Sequence, residues 1–265
     1  MKRQWVISSV LGSFALLFSS ALMAGDPASV QSTYRPNGLQ LWSNTLGLVQ
    51  KKKSDTAAST FYNNDMPGFL TMLNDNLGES SALGQVENRS LAPEKLFFYC
   101  EYTPRIYFLG EGAGYTNGLG AVICPAKPDT GTVPTGNKFL IIPNSQSSQG
   151  LGGSGSGTRS QSEPLLVGDF VDLPTIKRGE QLELFLIANM NSSAVPEATY
   201  YNEKAINVDH LQHMVAFFPQ NSRYILLGFE DIKGGGDLDY NDLVFAIDVG
   251  SCNALMWQNP NGLPK

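Results

Sequence analysis

The segment 230–242 is acidic and rich in glycine, and its side chains are of the kind that bind hard cations. It holds five carboxylates within thirteen residues against the single positive charge of Lys233. Carboxylates this close raise each other's pKa values and disfavour a compact turn, whereas a divalent cation coordinated by oxygen atoms reverses both effects. Calcium accepts about six to eight oxygen ligands in flexible geometry. We therefore predict a calcium site whose ligands are Glu230, Asp231, Asp237, Asp239, Asn241 and Asp242.

The spacing of these residues matches a known calcium loop only in part. Asp237, Asp239 and Asn241 fit the first three ligand positions of an EF-hand, but Asp242 stands where that loop requires glycine. The following residues, DLVFAID, alternate as a strand does, which excludes a helix–loop–helix. The glycines at 234–236 are expected to adopt positive φ and to bring backbone carbonyls close to the ion. A solvated acidic turn that binds nothing is the alternative.

Signals for catalysis are weak. His210 and His213 form an H-x-x-H pair with no Glu between them and no evident third ligand, which argues against a catalytic zinc. The sequence has no nucleophile elbow and no phosphate-binding loop, and no dinucleotide fingerprint directly follows a strand candidate. We therefore assign no catalytic residues and expect a protein that is not an enzyme. Tyr240 is either a stacking platform for a sugar or, as is commoner for an aromatic side chain in a turn, a packing lid.

The chain that must position the acidic segment has the pattern of a β protein from about residue 95 onward. Short runs rich in aromatic and β-branched residues, such as RIYFLG, KFLIIPN and RYILLGFE, are bounded by Gly, Pro, Asn or Asp. This spacing is typical of an antiparallel β-sandwich, here expected to be jelly-roll-like, over residues 95–265. In the run 181–188, Leu182, Leu184 and Leu186 alternate with Gln181, Glu183 and Phe185, which predicts a half-buried strand.

The remaining segments are predicted from composition and periodicity. Residues 1–24 have the layout of a bacterial secretory signal peptide, with cleavage after Ala24 or Ala21 and an uncleaved anchor as the alternative. Residues 25–94 form a mixed region expected to pack on the sandwich, and apolar spacing within 65–77 predicts a short amphipathic helix that covers a sheet. The Gly- and Ser-rich stretch 144–163 predicts a long mobile loop, favoured as an excursion within one domain over a domain boundary.

Three cysteines would enter an oxidising compartment after export. One pair and one remaining thiol is the natural expectation. Pairing of Cys100 with Cys124 is favoured because both lie on neighbouring strand candidates, which would leave Cys252 outside the bridge. Three buried thiols are the alternative.

Charge and composition limit the partners. The formal net charge is -6 at pH 7, and Lys51, Lys52 and Lys53 form the one basic cluster of the expected mature chain, so nucleic acid is not an expected partner. We expect no membrane span after removal of the signal peptide. Because 42% of residues are hydrophobic and 16% are charged, the chain is too apolar to be disordered.

The stretch 228–248, GFEDIKGGGDLDYNDLVFAID, resembles the C-terminal signature of the domain-of-unknown-function 4114 family. The resemblance extends over about 181–249, including His213, and it covers all six predicted ligands. It implies a β-sandwich module of a kind that occurs in secreted bacterial adhesins and calcium-binding proteins. We therefore expect a secreted or periplasmic, non-enzymatic calcium-binding module in cell-surface or matrix attachment or ligand recognition, with a glycan or a surface or matrix protein as partner. A secreted carbohydrate-active enzyme or a calcium-dependent lectin is the alternative.

Overall fold

The computed structural model describes residues 49–77, 96–125, 131–160, 162–190 and 198–258. The predicted signal peptide and the parts of region 25–94 other than 49–77 lie outside these ranges. Within the described ranges, no helix combines the length and apolar character needed to cross a bilayer.

The structure contains two five-stranded antiparallel sheets. The first sheet has the strand order β1-β6-β3-β4, with β7 also pairing with β6, and the second has the order β5-β2-β10-β9-β8. The mainly β, antiparallel fold predicted from the sequence is confirmed. The strands are β1 Leu96–Phe97, β2 Arg105–Gly110, β3 Gly118–Pro125, β4 Asn137–Ile142, β5 Phe170–Asp172, β6 Glu180–Ala188, β7 Ala198–Tyr201, β8 Met214–Phe217, β9 Tyr224–Phe229 and β10 Leu243–Asp248.

Both sheets contribute side chains to one hydrophobic core. Leu184 and Leu186 enter it from β6, and Phe108 and Phe245 enter it from the second sheet. The alternation in β6 was predicted to mark a half-buried strand, and this was wrong, because Gln181, Glu183 and Phe185 are also buried. The reason is a second apolar cluster, which includes Phe185 and packs separately from the main core: Val122, Cys124, Leu140, Phe185, Ile187 and Met190.

The described part of the N-terminal region is helical. Helix α1 (Thr56–Thr60) begins where the Asp55 side chain accepts a hydrogen bond from the Ala58 amide at 2.7 Å, which is an N-cap. A π-helical turn, Phe61–Asp65, leads into α2 (Met66–Leu77), which confirms the helix predicted over 65–77. Its buried side includes Phe69, which meets the ring of Tyr224 on β9 edge-on at 5.4 Å. The helix therefore covers the second sheet.

Polar contacts tie described parts of the Ser-rich stretch 144–163, which was predicted as a mobile loop, to the residues that follow it. Ser147 forms a parallel bridge with Leu165, and its hydroxyl donates to the Leu165 carbonyl at 2.8 Å. The Arg159 guanidinium pairs with both oxygens of the buried Asp169, with Nη2 2.7 Å from Oδ1. Polar side chains here satisfy buried polar groups, as the interior of a protein requires.

A disulfide ties the C-terminal helix α3 (Gly250–Gln258) to the chain just after β1. Cys100 pairs with Cys252, and their Cα atoms are 6.2 Å apart. The predicted pairing of Cys100 with Cys124 is therefore wrong. β6 lies between β1 and β3, so the two cysteines are not on neighbouring strands, and Cys124 packs in the second apolar cluster. The Asn253 side chain reinforces the junction by accepting hydrogen bonds from the Tyr99 and Cys100 amides.

Candidate metal site

The acidic segment forms the tip of the hairpin made by β9 and β10, which are interior strands of the second sheet. Leu243 pairs with Phe229, so the residues just beyond them, Glu230 and Asp242, face each other across the mouth of the hairpin. The Asp231 amide donates to Oδ2 of Asp242 at 2.8 Å, which closes that mouth. Strand pairing and this hydrogen bond thus fix the positions of Glu230, Asp231 and Asp242, the first two and the last of the predicted ligands.

The turn between these strands uses backbone conformations that most residues avoid. Gly234, Gly235 and Gly236 have φ of 89°, 88° and 48°, as the sequence predicted, and Leu238 and Tyr240 have φ of 59° and 57°. A residue with a Cβ in the left-handed region costs about 1–3 kcal/mol, and such residues cluster at functional sites. Leu238 and Tyr240, two such residues at alternate positions, give the tip a fixed, compact shape.

The five carboxylates converge in two overlapping groups. The outer group comprises Glu230, Asp237 and Asp239, and the inner group comprises Glu230, Asp231 and Asp242. Within each group, one oxygen of every residue lies within 4.8 Å of the others. The structure therefore brings together all five acidic residues that the sequence singled out.

Asn241, the sixth predicted ligand, lies beside the outer group. Its side-chain amide donates to a carboxylate oxygen of Asp239 and to the Leu77 carbonyl, the latter at 3.2 Å. Its Oδ1 faces the backbone of Gly112, where a Cβ would overlap it. Asn241 therefore braces Asp239 and anchors the turn to the end of α2, and in this arrangement its amide oxygen does not face the carboxylates.

The centre of the site is shielded from water. Glu230 is 1% exposed and Asp231 is 2% exposed, whereas Asp237 is exposed. No hydrogen-bond donor among the described residues reaches Oε2 of Glu230. A buried acceptor without a donor costs about 1–3 kcal/mol, and more when it is charged. This oxygen therefore needs a ligand or a proton.

Burial and mutual repulsion make the inner carboxylates weak acids. Burial, followed by the charge of Asp242, raises the pKa of Glu230. Burial also raises the pKa of Asp242, and the charge of Asp231 adds to this shift. The pKa of Asp231 is raised by burial as well, although a hydrogen bond from Asn117 opposes the shift. Without a cation, Glu230 and Asp242 therefore keep their protons to higher pH than ordinary carboxyl groups do.

Several residues at the site come from other loops and were missed by the sequence analysis. The Asn117 side chain, at the start of β3, donates to Oδ2 of Asp231 at 2.6 Å. Glu111, at the end of β2, accepts from the amides of Ala113 and Ser147, and burial raises its pKa to about 7. These residues lie more than 100 positions before the turn, and no local sequence pattern marks them.

His213 supports the turn from β8. Its Nδ1 lies 3.0 Å from the Glu230 carbonyl, and its Nε2 lies 3.0 Å from Oδ2 of Asp209. The same Asp209 oxygen accepts from the Gly234 amide at 2.9 Å, and the His213 ring stacks on Tyr200 at 3.7 Å. His213 is buried whereas His210 is exposed in the preceding turn. The buried ring thus positions the hairpin through the backbone at Glu230 and Gly234.

Tyr240 is a packing residue. Its ring is buried, and its hydroxyl donates to the Gln212 carbonyl at 3.2 Å. A sugar therefore cannot stack on it, and the packing lid is the correct one of the two predicted roles.

The donor set fits a hard divalent cation. Every member of the two groups offers a carboxylate oxygen, and neither group, as formed by the described residues, includes a thiolate or imidazole ligand of the kind that selects softer metals. The oxygen of Glu230 that lacks a donor is the atom a cation would satisfy. The residues thus fit calcium, which tolerates irregular oxygen coordination better than magnesium does.

Comparison with known proteins supports the family resemblance. The sequence profile described as "Domain of unknown function (DUF4114)" matches residues 176–250, less than half of the chain. No curated protein and no solved structure matches the chain. The matched segment runs from the residues before β6 through β10 and includes the whole acidic turn. The resemblance to the DUF4114 family predicted from the sequence is therefore confirmed over residues 176–250.

Proposed function

We propose that this protein is a secreted or periplasmic, non-enzymatic calcium-binding module that acts in surface or matrix attachment or in ligand recognition. The observation that carries the proposal is the buried Glu230 carboxylate, which lacks a donor at Oε2 and is shared by two converging acidic groups. Buried charges of one sign are stable only when they are neutralised or paired. A bound cation supplies that neutralisation.

The arrangement of the carboxylates favours binding over hydrolysis. Glycoside hydrolysis uses two carboxyl groups about 5–9.5 Å apart, on opposite sides of an open cleft. Here the oxygens of each group lie within 4.8 Å of one another, and Glu230 and Asp231 are buried. Carboxylates that converge on one point serve an ion better than they serve a sugar ring between them.

The exposure of Asp237 supports a recognition role. The outer group opens to solvent on that side, whereas the inner group is enclosed. Calcium with six to eight ligands can keep water at its open positions and exchange it for a partner's oxygen atoms. A glycan hydroxyl or a carboxylate of a surface or matrix protein has the chemistry to bind there, and the lectin alternative uses the same open position.

The disulfide Cys100–Cys252 supports export, because such bonds persist in oxidising compartments. If the segment 1–24 is a signal peptide, the mature protein begins at Gly25 or Leu22. Intact-mass measurement of protein from the periplasm or the medium tests this. Recovery of the chain with Met1 in a membrane fraction would contradict export.

Calorimetry of the purified mature protein tests the calcium site. Wild-type protein should bind calcium with Kd near 10⁻⁴ to 10⁻³ M, as extracellular modules commonly do, and magnesium should bind more weakly. Asp237→Asn should weaken binding, because it removes a charged ligand while preserving size. Glu101→Gln is the matched control, since Glu101 is exposed before β2, at the end of that strand away from the turn. If titration with calcium gives no binding heat, and the melting curve in calcium is the same as that in chelator, the turn is only a solvated acidic loop.

A further inference from the structure

The five carboxylates of the turn form two groups rather than one. Calcium–oxygen distances are about 2.3–2.6 Å, so two oxygens bound to one ion are at most about 5 Å apart. The inner and outer groups each meet this limit, because the ligand oxygens within each group lie within 4.8 Å of one another, and the five residues do not converge to that distance as one group. The geometry therefore offers two binding points with one residue in common.

The two groups are built by different parts of the hairpin. The inner group lies at the mouth, where the Asp231 amide donates to Asp242 and Asn117 donates to Asp231. The outer group lies at the glycine-rich tip, where the amide and side chain of Asn241 bind Asp239. Each group thus has its own hydrogen-bond support, independent of the other.

Charge also favours two cations. The five carboxylates carry five negative charges when ionised, and the basic residue of the turn, Lys233, is exposed. One calcium ion leaves three of these negative charges without neutralisation, whereas two calcium ions leave one. Glu230 and Asp231 are buried, so charge remaining in the inner group is costly unless it is paired.

Glu230 is placed to bridge two ions. It is the one residue common to both groups. Its Oε1 lies against Gly236 at the tip, where a side chain would overlap it, and its Oε2 has no donor among the described residues. Each oxygen of the carboxylate can therefore serve a different cation.

We propose that the turn binds two calcium ions, an inner one held by Glu230, Asp231 and Asp242 and an outer one held by Glu230, Asp237 and Asp239. This inference rests on the proposed calcium-binding function and adds a second site to it. The inner ion is enclosed by protein, and the outer ion faces solvent at Asp237. The outer ion therefore exchanges faster and is the one available to a partner.

Equilibrium dialysis of the full mature protein against calcium measures the number of bound ions directly and needs no variant. Wild-type protein and the Glu101→Gln control should each bind two. Binding of none overturns the proposed function together with this inference. Binding of one overturns the two-ion inference and leaves the proposed function standing.

Two variants then test which residues hold which ion. Asp237→Asn changes an exposed side chain and should reduce the bound number from two to one. Asp242→Asn should also reduce the bound number to one, and it should retain the outer ion. That ion should exchange faster with solvent than the inner ion that Asp237→Asn retains. Circular dichroism establishes that each variant is folded. A folded Asp237→Asn protein that still binds two ions overturns the assignment of the outer site.

Discussion

Gly236 offers the sharpest test of the acidic turn, because a methyl group there would disturb Glu230 without removing any charge. An added Cβ would lie less than 3.0 Å from Oε1 of Glu230, a separation that real Cβ atoms do not show. The carboxylate would have to turn away, and both groups would lose the residue they share. Gly234→Ala is the matched control, because φ there is also positive, at 89°, and a Cβ would have no atom within 4 Å.

The two variants should differ in calcium response rather than in basal stability. A left-handed alanine costs about 1 kcal/mol, so both variants should melt about 2–4 °C below wild type in chelator. With Kd of 10⁻⁴ to 10⁻³ M, 2 mM calcium stabilises a single site by about 0.6–1.8 kcal/mol, or roughly 2–5 °C for a protein of this size. Gly234→Ala should keep this shift, and Gly236→Ala should lose most of it.

Differential scanning calorimetry with calcium or with chelator measures these shifts in all three proteins. The reasoning about Glu230 fails if Gly236→Ala gains as much stability from calcium as wild type does. It also fails if Gly234→Ala loses the calcium shift, because the effect would then come from backbone strain alone.

Three further predictions concern pH, the disulfide and a buried ion pair. Burial raises the pKa values of Asp242 and Glu230 above those of ordinary carboxyl groups, so the stability these groups contribute without calcium is full below about pH 4 and is lost as pH rises through their raised pKa values. Saturating calcium should remove that loss and bind more tightly as pH rises, and melting curves from pH 5 to 9 with calcium or chelator check both points. Cys252→Ser should lower the free energy of unfolding by about 5 kcal/mol, because it opens a covalent loop with a sequence separation of 152. Urea denaturation measures this loss, and non-reducing peptide maps that place Cys252 outside a bridge would contradict it. Arg159→Leu should lower stability by about 3–5 kcal/mol in the same denaturation assay by leaving a buried carboxylate unpaired, whereas the exposed Arg178→Leu should change it little.

Local pattern was sufficient for the elements that depend on neighbouring residues. Period-2 runs bounded by turn residues predicted most of the strands, and the spacing of Phe69 and Leu73 predicted α2. The density of carboxylates predicted which residues converge, because β9 and β10 are joined by a short turn and must bring its ends together. Glu230 and Asp242 are twelve positions apart and lie across one hairpin.

The features that sequence reasoning missed depend on contacts between distant segments. Strand order determines which cysteine lies near Cys100. The spacing of the cysteines along the sequence does not reveal that β6 lies between β1 and β3. Burial of Glu183 depends on what covers the second face of β6. Asn117 reaches Asp231 only because the ends of β3 and β9 meet at one end of the sandwich. Composition also did not reveal the hydrogen bonds that join the Ser-rich loop to Leu165 and Asp169.

The disulfide has a mechanical consequence for the acidic turn. Cys100 lies just after β1 and Cys252 lies in α3, so the covalent loop that the bond closes contains β2 to β10. A pulling force applied to the two ends of the chain passes through the sulfur–sulfur bond and bypasses the residues between the cysteines. Those residues, which carry the acidic turn, cannot be extended by such a force while the bond is intact. Tension strong enough to unravel the flanking segments would therefore leave the turn folded.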